Sequence, residues 1–294
     1  MSVATQKEGF VAVPGGRVWY RIAGDGPGVP LLVLHGGPAA GHDYLEPLEA
    51  LADERPVVFY DQLGCGRSEM PDDPSLWQVR RFADEVAAVR DGLGLERVHI
   101  LGQSWGGFLA IEYMLTAPAG VAGIVLSNTA ASAAGFARET RKLLPGMPPD
   151  VRETIERCEA SGEFESGEYQ AATLAFYRKH VCRLEEWPEA IMRTVANVAA
   201  SPVYPFMWGP SEFTMTGTLA DWDRSARLGE IAAPTLIIAA EYDEAGLPLA
   251  EELRDGIPGA ELAMFEDASH MTHWEQPSKY LRVVRQFLNR AEAA

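Results

Sequence analysis

Apolar residues in this chain gather into short unbroken runs, and most runs stop at glycine or at a polar pair. After Pro30, the run LLVL ends in His35-Gly36-Gly37. PVVFYDQ (56–62), VHILGQS (98–104), VAGIVLSN (121–128), APTLIIAAEYD (233–243) and AELAMFED (260–267) repeat the form. Such runs, bounded by turn residues, read as strands buried on both faces. Upstream, 10–13 and 17–23 flank Pro14-Gly15-Gly16, the pattern of a β-hairpin. Helical periodicity lies between most of the buried runs, over 77–91, 105–116, 249–255 and 277–290. Strand, helix, strand in alternation predicts an α/β fold: a mostly parallel central sheet with helices on both faces.

The alternation breaks over 131–227. That stretch is helical and polar, and Pro145, Pro148, Pro149, Pro188, Pro202, Pro205 and Pro210 punctuate it. We expect an inserted helical cap there, with residues 1–130 and 228–294 forming the core domain. A length of 294 residues accommodates one large α/β domain with such an insertion.

Composition narrows the partners. Hydrophobic residues make up 47% of the chain, enough for a sizeable core. The 25 basic against 42 acidic residues give a net charge of −17. Nucleic acid and anionic membrane surfaces need clustered Lys and Arg, so neither is expected as a partner. The charge favours cationic ligands over anionic ones. Cys65, Cys158 and Cys182 are odd in number and far apart, without a CxxC or Cys/His cluster. They predict reduced thiols in a cytoplasm rather than a disulfide framework or a zinc site. The opening MSVATQKEGF has neither a basic nor an apolar leader segment, so no signal peptide is expected. No apolar stretch is long enough for a transmembrane helix.

The chemistry is concentrated at Gly102-Gln103-Ser104-Trp105-Gly106. An apolar strand precedes this G-x-S-x-G and an amphipathic helix follows it, the context of a nucleophile elbow with Ser104 exposed at a strained turn. A phosphate-binding loop would need the P-loop Lys or G-x-G-x-x-G spacing, and the segment has neither. A serine hydroxyl needs a base to take its proton, and the base needs an acid to fix its tautomer. Asp243, ending a buried run, and His270, a short loop after the next one, follow Ser104 in the order this elbow requires. His273 is the alternative base and Glu241 the alternative acid; Asp267 reads as a loop or capping residue, and His35, His42, His99 and His180 as structural. The turn His35-Gly36-Gly37-Pro38 can aim backbone N–H groups at the pocket. With the N–H of Trp105 it predicts an oxyanion hole, Gly37 being the first choice and Gly36 the second.

LHGGP, YDQLGCGRS, GQSWGG, EYDE and SHMTHWEQP together resemble the proline iminopeptidases, a group of α/β-hydrolases that includes amino-acid amide hydrolases. FYRKHVC (176–182) and GPSEFTMTGTLADW (209–222) are similar to the cap of that family, and the resemblance spans nearly the whole chain. It implies an enzyme that holds the free α-amine of its substrate on acidic side chains. Matched residue by residue, these are Glu212 in GPSEF and Glu244 in EYDE. It also implies a monomer that uses neither metal nor organic cofactor, acting on small peptides or amino acid amides. The chain departs from the family pattern at Ala39, where HGGPG has glycine, and at Ala245-Gly246-Leu247-Pro248, where Thr-Pro is common. Trp105, Phe108, Tyr204, Phe206, Trp208, Phe213 and Trp222 are candidates for a small apolar pocket. Esterase or lactonase action uses the same triad, and a non-catalytic binding member of the fold is the reading from another class. An epoxide hydrolase or dehalogenase needs Asp at the elbow, where this chain has Ser104.

Overall fold

The flanks of Pro14-Gly15 pair as an antiparallel hairpin, β1 (Gln6–Val13) and β2 (Gly16–Ala23), in register from Gln6 opposite Ala23 to Val13 opposite Gly16. β1 begins before Phe10 because backbone pairing carries the ladder through its polar residues. The structure, a computed structural model, describes residues 6–293. The reading of the first ten residues as lacking a leader rests partly on residues 1–5, which lie outside the described residues.

The buried runs form β3 (Leu31–Leu34), β4 (Val57–Tyr60), β5 (Val98–Gln103), β6 (Val121–Ser127), β7 (Thr235–Ala240) and β8 (Glu261–Phe265). With the hairpin they make one eight-stranded sheet, ordered β1-β2-β4-β3-β5-β6-β7-β8. Pairing is parallel from β4 onward and antiparallel at the hairpin edge. Successive strand residues face opposite ways, so each strand feeds two cores. Leu32, Leu34, Val58, Ile100, Ile124 and Ile237 pack under α1 (Val79–Leu93), α2 (Trp105–Met114) and an α-helix at Leu247–Gly256. Leu31, Val33, Phe59, Leu101, Val125 and Ile238 pack under the 3-10 segment Asp43–Leu51 and the C-terminal helix Pro277–Ala293.

The segment between β6 and β7 carries α3 (Ala133–Arg141), α4 (Pro149–Ser161), α5 (Gly167–His180), α6 (Glu189–Ala200) and α7 (Val203–Met207). The helices after β7 are therefore α8 (Leu247–Gly256), α9 (Thr272–Glu275) and α10 (Pro277–Ala293). Ile155, Phe176 and Phe213 anchor a smaller core of their own inside the inserted segment.

Element bounds differ from the sequence pattern in physical ways. Asp43–Leu51 has no simple period because Pro47 lies inside it and the turns are 3-10. Trp77 and Gln78 precede α1 rather than opening it, since a separate 3-10 turn spans Pro74–Leu76. β7 stops at Ala240, so Glu241 lies beyond the strand and not within it as expected.

Candidate active site

Ser104 sits between β5 and α2 with φ 56° and ψ −125°, left-handed backbone that a residue with a Cβ adopts only under constraint. The constraint is visible: Ser104 N–H donates to Ser127 O at 3.0 Å, and Ser104 O accepts from Thr129 Oγ1 at 2.7 Å and Gly107 N–H at 2.8 Å. Gly106 lets α2 press against β3, for a Cβ there would lie 2.0 Å from Leu34 O. Gly106→Ala is expected to cost about 1–3 kcal/mol of stability by overpacking against backbone that cannot give. Urea unfolding monitored by tryptophan fluorescence checks this; an unchanged midpoint would show that the elbow tolerates the methyl group.

Asp243 lies in the turn after β7 and His270 in the turn after β8. Both are buried, and His270 Nδ1 meets Asp243 Oδ1 at 2.7 Å. The ionised carboxylate only accepts, so Nδ1 carries the proton and Nε2 keeps its lone pair for the serine proton. Asp243 is held on its other sides by Asn128 Nδ2, donating to Oδ2 at 2.8 Å, and by Ala245 N–H, donating to Oδ1 at 3.1 Å. Asn128 has φ 52° just beyond β6, which turns its amide back toward the acid. Sequence reading passed over Asn128; the signal was a polar residue at the end of a buried run beside the nucleophile strand.

Ser104 and His270 line one cavity of about 490 Å³. Among the described residues no hydrogen bond joins Ser104 Oγ to His270, and His270 Nε2 lies 3.7 Å from Glu244 Oε1. Such contacts commonly tighten only when substrate binds.

The alternative candidates are engaged elsewhere. His273 donates from Nε2 to Tyr44 O at 2.9 Å, and burial pushes its pKa down to about 3. Glu241 accepts from Asp267 N–H at 3.0 Å. His35 accepts from Gln62 N–H at 2.9 Å on Nε2 and is held down to about 4 by burial. His42 meets Asp61 at 2.8 Å, His180 donates to Tyr242 O at 2.8 Å, and His99 meets Glu292 at 3.2 Å.

The two glycines after His35 differ. Gly36 N–H donates to Tyr44 Oη at 2.7 Å, so the second-choice oxyanion donor is already committed. A Cβ at Gly36 would stand 2.9 Å from both the Ser104 Cβ and Tyr44 Oη. Tyr44 Oη in turn donates to Gln103 Oε1 at 2.6 Å, and Gln103 Nε2 donates to His270 O at 3.2 Å. This chain ties the glycine turn, the elbow and the base loop together; nothing in the local sequence pattern announces Tyr44, which stands 8 residues from Gly36 and 59 from Gln103. Gly37 lines the cavity, and its N–H has no acceptor among the described residues. Trp105 opens α2, so its N–H has no intrahelical acceptor.

Glu212 and Glu244 line the same cavity. Glu212 Oε1 accepts from Tyr204 Oη at 2.7 Å. Glu244 is buried, and its Oε2 has no partner among the described residues. Burial first, then the neighbouring Glu212 and Asp243, raise the Glu244 carboxyl well above the usual range; burial also raises Glu212. A buried carboxylate with a bare oxygen is costly until a cation meets it.

Of the seven aromatic candidates, only Tyr204 lines this cavity. In the main core Trp222 stacks on Phe108, Trp105 meets the same ring edge-on and Trp208 at a tilt; Phe213 belongs to the smaller core, and Phe206 faces solvent. Large aromatic area is more stabilising when packed than when lining a void, and that preference overrode the expectation.

A family model for the α/β hydrolase fold matches residues 29–277. A proline iminopeptidase of Heyndrickxia coagulans is 42% identical over 96% of this chain and 98% of that protein. The chain belongs to the proline iminopeptidase family of α/β-hydrolases. The crystal structure of a proline iminopeptidase from Mycobacterium smegmatis superposes with a TM-score of 0.91 at 37% identity, covering 98% of this chain and 99% of that one. The crystal structure of VinJ gives a TM-score of 0.94 at 36% identity, covering 97% and 99%. The proline iminopeptidase pattern HGGPG places glycine where this chain has Ala39, and Ala39 adopts φ 82°, the region glycine occupies without strain.

Proposed function

We propose that this protein is a serine aminopeptidase that hydrolyses the amide bond after an N-terminal residue carrying a free α-amine. The amine docks between Glu212 and Glu244. Ser104 Oγ attacks the carbonyl of that first residue while His270 Nε2 takes its proton, and Asp243 stabilises the imidazolium. Gly37 and Trp105 N–H groups hold the oxyanion, a role worth about 3–4 kcal/mol per donor. His270 then protonates the leaving amine, and water hydrolyses the acyl-enzyme. In this reading residues 131–227 act as a cap over a core of 1–130 and 228–294. The cap limits the site to short peptides and amides. We place the enzyme in the cytoplasm, acting as a monomer; three buried free cysteines fit that compartment. Amino-acid amide hydrolysis is the same chemistry with a smaller leaving group.

The observation that carries this reading is the unpartnered oxygen of buried Glu244 in the cavity that also holds Ser104 and His270. An α-amine with a pKa near about 8 is a cation at neutral pH and supplies the missing partner. Hydrolysis of proline and alanine p-nitroanilides, N-acetyl-proline p-nitroanilide and prolinamide tests it. The free-amine compounds are expected to turn over and the acetylated one to be spared, because its neutral amide leaves both carboxylates unpaired. Equal turnover of the acetylated compound removes the amine site and favours a general amidase or esterase.

Glu244→Gln is expected to raise KM for free-amine substrates by about 100-fold, the cost of deleting the charge that pairs a desolvated cation. The same pairing shapes the pH profile. On the acid side protons compete for the raised Glu244 and Glu212 carboxyls, so kcat/KM falls as pH drops through them. On the alkaline side the substrate amine loses its charge above about 8 and kcat/KM falls again. A flat profile for the free-amine substrate would count against the pairing.

A further inference from the structure

Beyond the acidic end, the cavity has a second wall of different chemistry. Val181, Trp187, Ile191, Val195, Val198 and Met271 line it, contributed by the segment after α5, by α6 and by the residue after the base. Two backbone hydrogen bonds hold this wall beside the base: His270 N–H donates to His180 O at 3.2 Å and Met271 N–H to Val181 O at 2.8 Å. Asn197 Nδ2 anchors α6 over the glycine turn by donating to Ala40 O at 3.1 Å. Val195 is 46% exposed and marks the mouth, whereas Ile191 is buried deeper along the same helix. Among the described residues that line the cavity there is no Lys or Arg, while Glu165, Glu212 and Glu244 all do line it. His270, the titratable base on the lining, must be neutral to accept the serine proton.

We infer that this wall selects the leaving group: the enzyme favours uncharged amines bearing an apolar chain and discriminates against a free carboxylate next to the scissile nitrogen. The inference rests on the function proposed above. With the α-amine on the two glutamates and the carbonyl at Ser104, the leaving-group side of the substrate points away from the acidic end and meets the apolar wall. On hydrolysis the C–N bond breaks, the nitrogen takes its proton from His270, and the freed amine departs along the wall. In a dipeptide that amine carries a carboxylate on its α-carbon, held close to Ser104 in a partly desolvated cavity with no Lys or Arg on its lining to meet it. An amide, an anilide or a longer peptide presents a neutral group there instead. An apolar side chain on the leaving amine gains by burial against Ile191 and Val198.

The test joins the acyl residue preferred in the anilide series to leucine, leucinamide and glycinamide, and measures kcat/KM at neutral pH. The leucinamide compound is expected to exceed the dipeptide by about tenfold or more, as a buried unpaired charge demands. It is also expected to exceed the glycinamide compound by about tenfold, from burial of the isobutyl group. Val195→Arg at the mouth should lower the leucinamide-to-leucine ratio about threefold or more, and Val195→Glu should raise it, the opposite signs separating charge from damage to the helix. If the dipeptide is cleaved as well as its amide, or if both variants leave the ratio unmoved, the inference is overturned while the aminopeptidase reading stands. If none of the three is cleaved, the reading itself has failed and this inference falls with it.

Discussion

Ser104→Ala is expected to lower kcat on a free-amine anilide by about a millionfold, the loss seen when the nucleophile of a serine triad is removed, and to leave stability within about 0.5 kcal/mol. The asymmetry comes from where the strain resides. The left-handed backbone at Ser104 is imposed by Ser127, Thr129 and Gly107, and all three of those hydrogen bonds involve main-chain atoms of Ser104. Alanine keeps those bonds and removes only Oγ. Active-site titration and single-turnover kinetics measure the first part, and urea unfolding the second. A variant that retained more than about a hundredth of the activity would show that water is activated directly and that no acyl-enzyme forms.

Asp243→Asn is expected to lower kcat by about ten-thousandfold. The carboxylate accepts from His270 Nδ1, Asn128 Nδ2 and Ala245 N–H. An amide can keep acceptance on one atom only; its NH2 must then face a donor or turn His270 to the tautomer protonated at Nε2. That tautomer cannot take the serine proton. Steady-state kinetics across pH read the loss, and the fold should survive because the side chains are isosteric. A fall of less than about tenfold would mean that the Nδ1-protonated tautomer is held without the Asp243 carboxylate.

The frame of this molecule was legible because local signals and global burial agree along it. Each two-face strand is an apolar run ended by a turn residue, and G-x-S-x-G between a strand and a helix locates Ser104 without help from the rest of the chain. Asp243 and His270 followed from strand order. The features that escaped were set by contacts between distant segments. Tyr44 Oη, which commits the Gly36 N–H, reaches Gln103 Oε1 from 59 residues away. Asn128 reads as the end of a strand until Asp243 is brought against it. The aromatic residues expected at the pocket share their composition with core residues, so sequence could not separate Tyr204 on the cavity from Trp105 and Phe108 within the packing. The apolar wall is assembled from amphipathic α6, the segment between α5 and α6, and Met271, and which face of α6 turns inward cannot be assigned before the helix docks.

The strand β5 that leads into Ser104 lies inside the sheet, hydrogen-bonded to β3 on one side and β6 on the other, whereas Glu212 stands in a turn beside Phe213, which packs in the smaller core of the inserted segment. Under mild denaturing stress, segments open in order of the contacts that hold them. In the proposed reading, discernment is therefore expected to fray before reactivity on the Glu212 side: a molecule whose smaller core has loosened would hold Ser104 in a firm framework after losing half of its grip on the amine.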